Sequence, residues 1–333
     1  MLRLDDPCGA FLSDVSDALA GVTIRELLQH TSGLVRDGFD GDFWQLGGPF
    51  PGPDGLATLV ADGESLILQR NVRFKYSNIG YGLLGLAIEG ATGRSYADVV
   101  RESVVAPLGL ADTGTEYDPA RVADYATGYS ALAYAEHRVP IEHVDTRALA
   151  AATGCYSTAA DLVRYFAAHC LGDERLLSDA SKRQMQHGGW STETPDKRYG
   201  LGMSVTKVGE RTLIGHGGGY PGHATCSAFD PEAGLAVSVL TNAIDGPPEG
   251  LLQGMVKLID RACEGAVPTP DGAERFTGRF AALWSVNDIA LLGGRLFLMA
   301  PALADPGEPV PELEIVGRHH AADDGRLGLR RAR

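Results

Sequence analysis

The 333-residue chain predicts an α+β fold: an antiparallel sheet packed with a helical lobe that precedes it, followed by a small C-terminal β unit. Three observations carry that expectation. The first half of the chain is punctuated by helix caps. Residues 199–242 switch to short β-rich runs separated by turn residues. Residues 249–264 then return to helical spacing before a second β-rich stretch begins.

The elements can be justified in order. Thr23 and Glu26 form a capping box, and the helix they open is expected to end at His30, Thr31 and Ser32, with Gly33 as its stop. Residues 37–57 are rich in Gly, Pro and Asp and read as a long loop. Ser95 and Asp98 open another helix, halted near Pro107 and Gly109. Thr158 and Asp161 open a third, with Leu162, Tyr165 and Phe166 on one face. Residues 199–207, 211–217, 223–230 and 235–242 read as strands. Residues 208–211 and 231–234 are their hairpin connections. The helix over 249–264 is amphipathic, with Leu252, Met255, Val256, Leu258 and Ile259 apolar. Residues 266–275, holding Pro268, Pro270 and Gly272, read as a linker between a domain over 1–265 and an appendage over 276–333. Within that appendage, 276–283, 289–292 and 295–299 are strand-like, and Gly293 and Gly294 form a hairpin turn. From Arg318 onward the tail is polar and shows no period.

Composition narrows the function. The chain is 44% hydrophobic and 22% charged, as an ordinary soluble globular protein is. A net charge of -14 argues against nucleic acid or an anionic membrane as partner. No run of eighteen apolar residues exists to span a membrane. The N-terminus does not read as a signal peptide, so a cytoplasmic location is expected. Five scattered cysteines without C-x-x-C spacing read as free buried thiols of a reducing compartment. The nine histidines lack metal-ligand spacing, and nothing calls for a metal or another cofactor.

Two short motifs carry chemistry. Tyr76, Ser77 and Asn78 sit in "FKYSNIGYGLLG" (74–85). His216, Gly217, Gly218 and Gly219 sit in "GHGGGYPGHATCSAFDPEAGLAVSVLTN" (215–242). By themselves, Y-S-N suits a turn ahead of a helix and H-G-G suits a glycine-rich hairpin. Together, and in order with "LRLDDP" (2–7), "TIRELLQHTSGL" (23–34), "GRSYADVVRESVVAPLGLADT" (93–113) and "GCYSTAADLVRYF" (154–166), they resemble the serine penicillin-recognising enzymes. That family includes class C-like β-lactamases, D,D-carboxypeptidases, D-aminopeptidases and related esterases. The resemblance spans roughly residues 1–265 and implies the β-lactamase/transpeptidase-like fold.

The resemblance also implies roles. Tyr76 matches the family's general base. A free phenol titrates near 10, so it needs a nearby cation to act at neutral pH. Asn78 matches the amide that holds the substrate and orients the family lysine. His216, Gly217 and Gly218 match the third motif, where glycines let a substrate lie along the strand edge. The Gly219 N–H is a candidate oxyanion donor, and His216 could meet a substrate carboxylate or polar group.

The family's first motif, S-x-x-K, has no helical counterpart here. The chain has five lysines, and only Lys207 has a serine, Ser204, three residues before it. That pair lies in a strand-like stretch, where positions three apart face opposite ways. "HGGG" also resembles the oxyanion motif of α/β-hydrolases, but the G-x-S-x-G that fold needs is missing. Because "LRLDDP" follows the nucleophile helix in the family, the expectation is a domain incomplete at its N-terminus. Two readings stay open: sequence upstream of Met1 supplies the nucleophile, or the chain is a non-catalytic relative that binds a peptide or protein partner. The expected ligand is a small molecule or peptide carrying a peptide, lactam or ester bond. A sheet lacking its first strands would present an open edge, a route to self-association.

Overall fold

In the computed structural model, the structure describes residues 2–13, 15–38, 41–61, 63–132, 136–265, 267–281, 283–301, 311–317 and 327–331. Contacts divide the chain into two compact units, Met1–Gly246 and Pro247–Arg333. The α+β expectation holds. The first unit is a helical lobe followed by a six-stranded sheet, and the second pairs a helix with its own five-stranded sheet.

The lobe begins with α1 (Asp17–Ala20) and α2 (Ile24–Leu28). The capping box forms: the Glu26 amide donates to Thr23 Oγ1 at 3.2 Å and the Thr23 amide to Glu26 Oε2 at 2.7 Å. The helix stops at Leu28, earlier than expected. His30 takes a left-handed backbone (φ 56°), and its carbonyl receives the Lys75 amide at 2.7 Å instead of a helical donor. Gly33, at φ 81°, completes the reversal. The stretch 37–57 is not a plain loop. Residues 42–45 form a 3₁₀ turn and Pro53 opens α3 (Pro53–Ala61). Phe43, Trp44 and Phe50 pack their rings 4.8–5.9 Å apart and anchor the segment on the lobe core.

The long helix α4 (Asn78–Thr92) is capped by Ser77, whose Oγ accepts from the Gly80 amide at 2.9 Å. It ends on Gly93 at φ 67°. Ile79 and Leu83 pack into the lobe core with Leu27, Leu34, Leu56 and Leu149. Gly82 is required by close approach, since a Cβ there would lie 2.8 Å from Leu149 Cδ2 and 3.0 Å from the Ala148 carbonyl. Then follow α5 (Tyr96–Val100), a π turn, α6 (Ala106–Leu108) with Gly109 as left-handed cap, and the ribbon β1 (Gly128–Tyr129) and β2 (Pro140–Ile141). The helix expected at Thr158 is α7 (Ala159–Ala167), and α8 (Asp179–Gln186) leads into the sheet.

That sheet is an antiparallel meander: β3 (Trp190–Ser191), β4 (Lys197–Tyr199), β5 (Ser204–Val208), β6 (Arg211–Tyr220), β7 (His223–Asp230) and β8 (Leu235–Thr241), paired in that order. The single strand expected over 199–207 is two strands, because the chain reverses through Gly202 (φ 76°) so that Tyr199 faces Ser204. Phe166 of α7 meets Phe229 of β7 beside Met203 and Ile214, forming the core on one face of the sheet.

The second unit holds α9 (Pro248–Cys263), which buries Leu252 and Val256. Its sheet is built from β9 (Gly278–Ala281), β10 (Val286–Leu292), β11 (Arg295–Met299), β12 (Glu312–Gly317) and β13 (Leu327–Arg331), with β13 at one edge and β9 at the other. Gly293 and Gly294, both at positive φ, make the expected turn. The tail is not without structure, because Leu327–Arg331 pairs antiparallel with β12. Strand pairing is a backbone property, and a segment with little apolar period can still add to an edge. His319 and His320, the adjacent pair among the nine histidines considered as metal ligands, lie outside the described residues.

None of the five cysteines is in a disulfide, and only Cys8 is buried, while Cys155 and Cys263 are exposed. The expectation of buried thiols holds for Cys8 alone. Among the described residues, no helix is long and apolar enough to cross a membrane.

Candidate active site

The two motifs, far apart in sequence, face each other within the first unit. Tyr76 lies just ahead of α4, and His216 lies midway along β6. Their ring centroids are 6.1 Å apart.

The Tyr76 side is built by one short segment laid against another. The Asn71 amide donates to the Thr31 carbonyl at 2.9 Å and the Lys75 amide to the His30 carbonyl at 2.7 Å. The Ser77 amide donates to His30 Nδ1 at 3.1 Å, and the Ser77 hydroxyl to the Val35 carbonyl at 2.7 Å. The Asn78 and Ile79 amides, orphaned at the start of α4, both reach the Arg36 carbonyl, at 2.9 and 3.1 Å. Ser77 is therefore a helix cap as well as the centre of the motif, as the reading of Y-S-N as a turn ahead of a helix expects.

Asn78 is buried, and its side-chain amide donates to Asp37 Oδ1 at 2.7 Å. Asp37 also pairs with Arg36 at 3.1 Å. The Arg36 guanidinium sits 5.5 Å from the centre of the Tyr76 ring. Burial pushes the Tyr76 phenol above its ordinary value; Arg36 draws it down and Asp37 pushes it up. The net shift is upward, so at neutral pH Tyr76 is a protonated phenol.

The sheet side starts at His216. Its Nδ1 lies against the Gly217 carbonyl and its Nε2 lies 2.9 Å from the Tyr199 hydroxyl. A nitrogen facing a carbonyl must donate, so Nδ1 carries the proton and Nε2 accepts from the phenol. Burial lowers the His216 pKa, which fits the neutral ring. Both nitrogens are thus committed within the protein. Beyond His216, Gly217, Gly218 and Gly219 are exposed. β5 pairs with β6 only as far as Gly215, whereas β7 pairs with it through Tyr220. Among the described residues, no strand pairs with His216–Tyr220 on the β5 side. The Gly219 carbonyl receives the Thr153 hydroxyl at 2.7 Å.

Ser204 and Lys207 fall in β5. Ser204 is buried and donates to the Gly215 carbonyl at 2.8 Å, and Lys207 is exposed. The pair does not share a helix face. Among the described residues, no group of three His, Cys, Asp or Glu side chains could hold a metal ion.

Four residues at the site were not singled out from the sequence: His30, Arg36, Asp37 and Tyr199. His30 lies inside "TIRELLQHTSGL", where it reads only as the end of a helix ahead of the Gly33 stop. Asp37 opens the stretch read as loop, and Arg36 stands just before it. Tyr199 gives no signal of its own, because its role depends on a neighbouring strand.

A helical lobe, an antiparallel meander, a Tyr-x-Asn segment and a facing His-x-Gly strand together define the β-lactamase/transpeptidase class of fold. The family model described as Beta-lactamase matches residues 1–258, and the chain belongs to that family. Penicillin-binding protein 4* of Bacillus subtilis (strain 168) is 33% identical over 225 residues, covering 62% of this chain and 48% of that protein. The chain spans about half the length of the curated relatives it matches first. A D-stereospecific amidohydrolase from Streptomyces sp. superposes with a TM-score of 0.63 at 26% identity, covering 73% of this chain and 75% of that one. The octameric penicillin-binding protein homologue from Pyrococcus abyssi shares the fold, with a TM-score of 0.68 at 23% identity, over 94% of this chain and 74% of that one.

Proposed function

We propose that this chain provides the base, amide and substrate strand of an acyl-serine hydrolase site that acts on a peptide, lactam or ester carbonyl. The observation that supports this best is the convergence of Tyr76 and His216 to 6.1 Å. In this reading Tyr76 exchanges the nucleophile's proton, Asn78 orients substrate and lysine, and the open edge of His216–Gly219 carries the substrate, with the Gly219 N–H facing the oxyanion. His216 acts by anchoring that edge to Tyr199. The likeness to a D-stereospecific amidohydrolase makes D-amino-acid amides the first ligands to try. A phenol held protonated cannot take a proton until a cation approaches it, and the family lysine is that cation.

These 333 residues hold no helical S-x-x-K, so the chain as it stands is expected to bind without acylating. Mass spectrometry after incubation with a fluorescent penicillin or an activated ester tests this. No covalent adduct is expected; an adduct at any serine, Ser204 included, would overturn it. Joining the segment to a helix that carries Ser-x-x-Lys should create turnover. Tyr76→Phe should then cut that turnover by about a hundred- to ten-thousand-fold while leaving affinity nearly intact.

A second reading has its own support. The Asn78 side-chain amide already donates to Asp37, and both His216 nitrogens are taken. A site wired inward in this way suits a non-catalytic module that binds a peptide or protein partner. The outer edge of β8 offers a route to self-association, since no strand covers it among the described residues. Light scattering decides that point: a monodisperse monomer would remove the self-association proposal.

A further inference from the structure

His30 is buried at 1% exposure and adopts a left-handed backbone. Its ring is enclosed by Tyr76 at 4.2 Å, Tyr81 and Tyr199 each at 4.9 Å, and Phe74 at 5.6 Å between centroids. Nδ1 receives the Ser77 amide, so in a neutral ring the proton sits on Nε2, and that nitrogen has no hydrogen-bond partner among the described residues. An orphaned buried donor is uncommon and calls for a reason. A residue needed only to turn the chain at φ 56° would be glycine or asparagine.

We propose that His30 is a positioning residue for the Tyr76–Asn78 segment: Nδ1 pins the amide between the two functional side chains while the ring backs the Tyr76 ring. The proposal rests on Tyr76 and Asn78 being the working groups of the site. The geometry is specific in three ways. The contact falls on Ser77, the residue between them. The acceptor must be an unprotonated Nδ1, since a protonated nitrogen there would face the Ser77 N–H. And the cage excludes the cation: burial, with His216 nearby, lowers the His30 pKa to about 3. The titratable groups that bear on the Tyr76 and His30 rings are Tyr81, Tyr199, His216, Arg36 and Asp37. Of these, Arg36 and Asp37 act on Tyr76 directly and with opposite sign.

Two substitutions separate the ring from the backbone. His30→Gly keeps the left-handed turn and removes the acceptor. His30→Asn also tolerates that turn and offers Oδ1 where Nδ1 was. The readouts are exchange of the Ser77 amide and titration of the Tyr76 phenol, both by NMR on the 333-residue protein. His30→Gly should speed Ser77 exchange by about tenfold and move the Tyr76 titration back toward the ordinary phenol range. His30→Asn should restore Ser77 protection. A histidine that only stabilised the fold would change the melting temperature and leave the Tyr76 titration in place. The proposal is overturned if the glycine variant changes neither readout, or if the asparagine variant behaves like it. Should both variants fail to fold, the ¹⁵N shifts of wild-type His30 decide: an unprotonated Nδ1 with a protonated Nε2 supports the proposal, the reverse tautomer refutes it. None of these readouts requires a ligand, so failure to bind D-amino-acid amides would count against the function proposed above and not against the placement of His30.

Discussion

On the lobe side of the site, Tyr76 and Asn78 are fixed by side chains and carbonyls from residues 30–37, through at least six hydrogen bonds that need specific partners. On the sheet side, Gly217, Gly218 and Gly219 have no side chains to fix; the backbone ladder to β7 holds them, with His216 Nδ1 on the Gly217 carbonyl and the Thr153 hydroxyl on the Gly219 carbonyl. The first wall places chemical groups; the second offers an exposed edge. A reacting tyrosine needs its position set to a fraction of an ångström, whereas a docking strand needs clear space along its backbone. Mutation should therefore act differently on the two walls. Changes at the lobe wall should cost stability, and changes at the sheet wall should cost binding.

The largest effect is expected at Gly33. It sits at φ 81°, and an added Cβ would lie 2.1 Å from the Leu68 carbonyl oxygen. Gly33→Ala should lower unfolding free energy by about 3 kcal/mol, combining left-handed strain with a backbone clash. Urea denaturation measures it. A loss below about 0.5 kcal/mol would mean that the lobe wall yields, and the contrast between the walls would collapse.

Asp37→Ala should come next. It leaves the buried Asn78 amide without its acceptor, at a cost of about 1.5–3 kcal/mol. It also removes a negative charge that raises the Tyr76 phenol, so the Tyr76 titration should move downward. Loss of stability with no movement of Tyr76 would separate the two functions of Asp37.

Acid should weaken both walls. The folded pKa of His30 lies near 3, below the ordinary 6.5, and that of His216 is also lowered. Folded protein thus binds fewer protons than unfolded protein in this window. The stability due to neutral histidine is complete above about pH 6.5 and falls as pH drops toward 3. His143 and His169 shift the same way and add to the slope. His30→Asn should flatten the curve measurably; an unchanged slope would indicate that His30 titrates normally.

The fold was legible because its signals are local. The capping box at Thr23, the cap at Thr158, the two-residue hairpin at 209–210 and the Gly293–Gly294 turn each depend on residues close in sequence. The motif residues Tyr76, Asn78 and His216 were legible as phrases. What the sequence hid depends on long-range contact. The helix at α2 stops early because Lys75 claims the His30 carbonyl, and the 37–57 stretch orders itself around an aromatic cluster. Asp37 holds Asn78 from forty-one positions away, and Tyr199 reaches His216 only because β4 and β6 lie on either side of β5. No period or spacing records such pairs.

The smallest effect on stability, and the sharpest test of the sheet wall, belongs to Gly219. A Cβ built there meets nothing within 4 Å, and its φ is not in the left-handed region. Gly219→Ala should therefore change unfolding free energy by no more than about 0.5 kcal/mol. Its neighbour Gly218 would be a poor choice, because a Cβ there would fall 2.5 Å from Thr225 Oγ1 and confuse packing with binding. If the edge from His216 to Gly219 carries substrate, a methyl group at its exposed end enters the space the ligand needs. Affinity for a D-amino-acid amide should then fall at least about tenfold, near 1.4 kcal/mol, with the fold intact. Calorimetric titration beside a thermal melt reads both quantities on one sample. Unchanged affinity with an unchanged melt would remove the glycine strand from the binding surface and leave the lobe wall as the only functional side of the site.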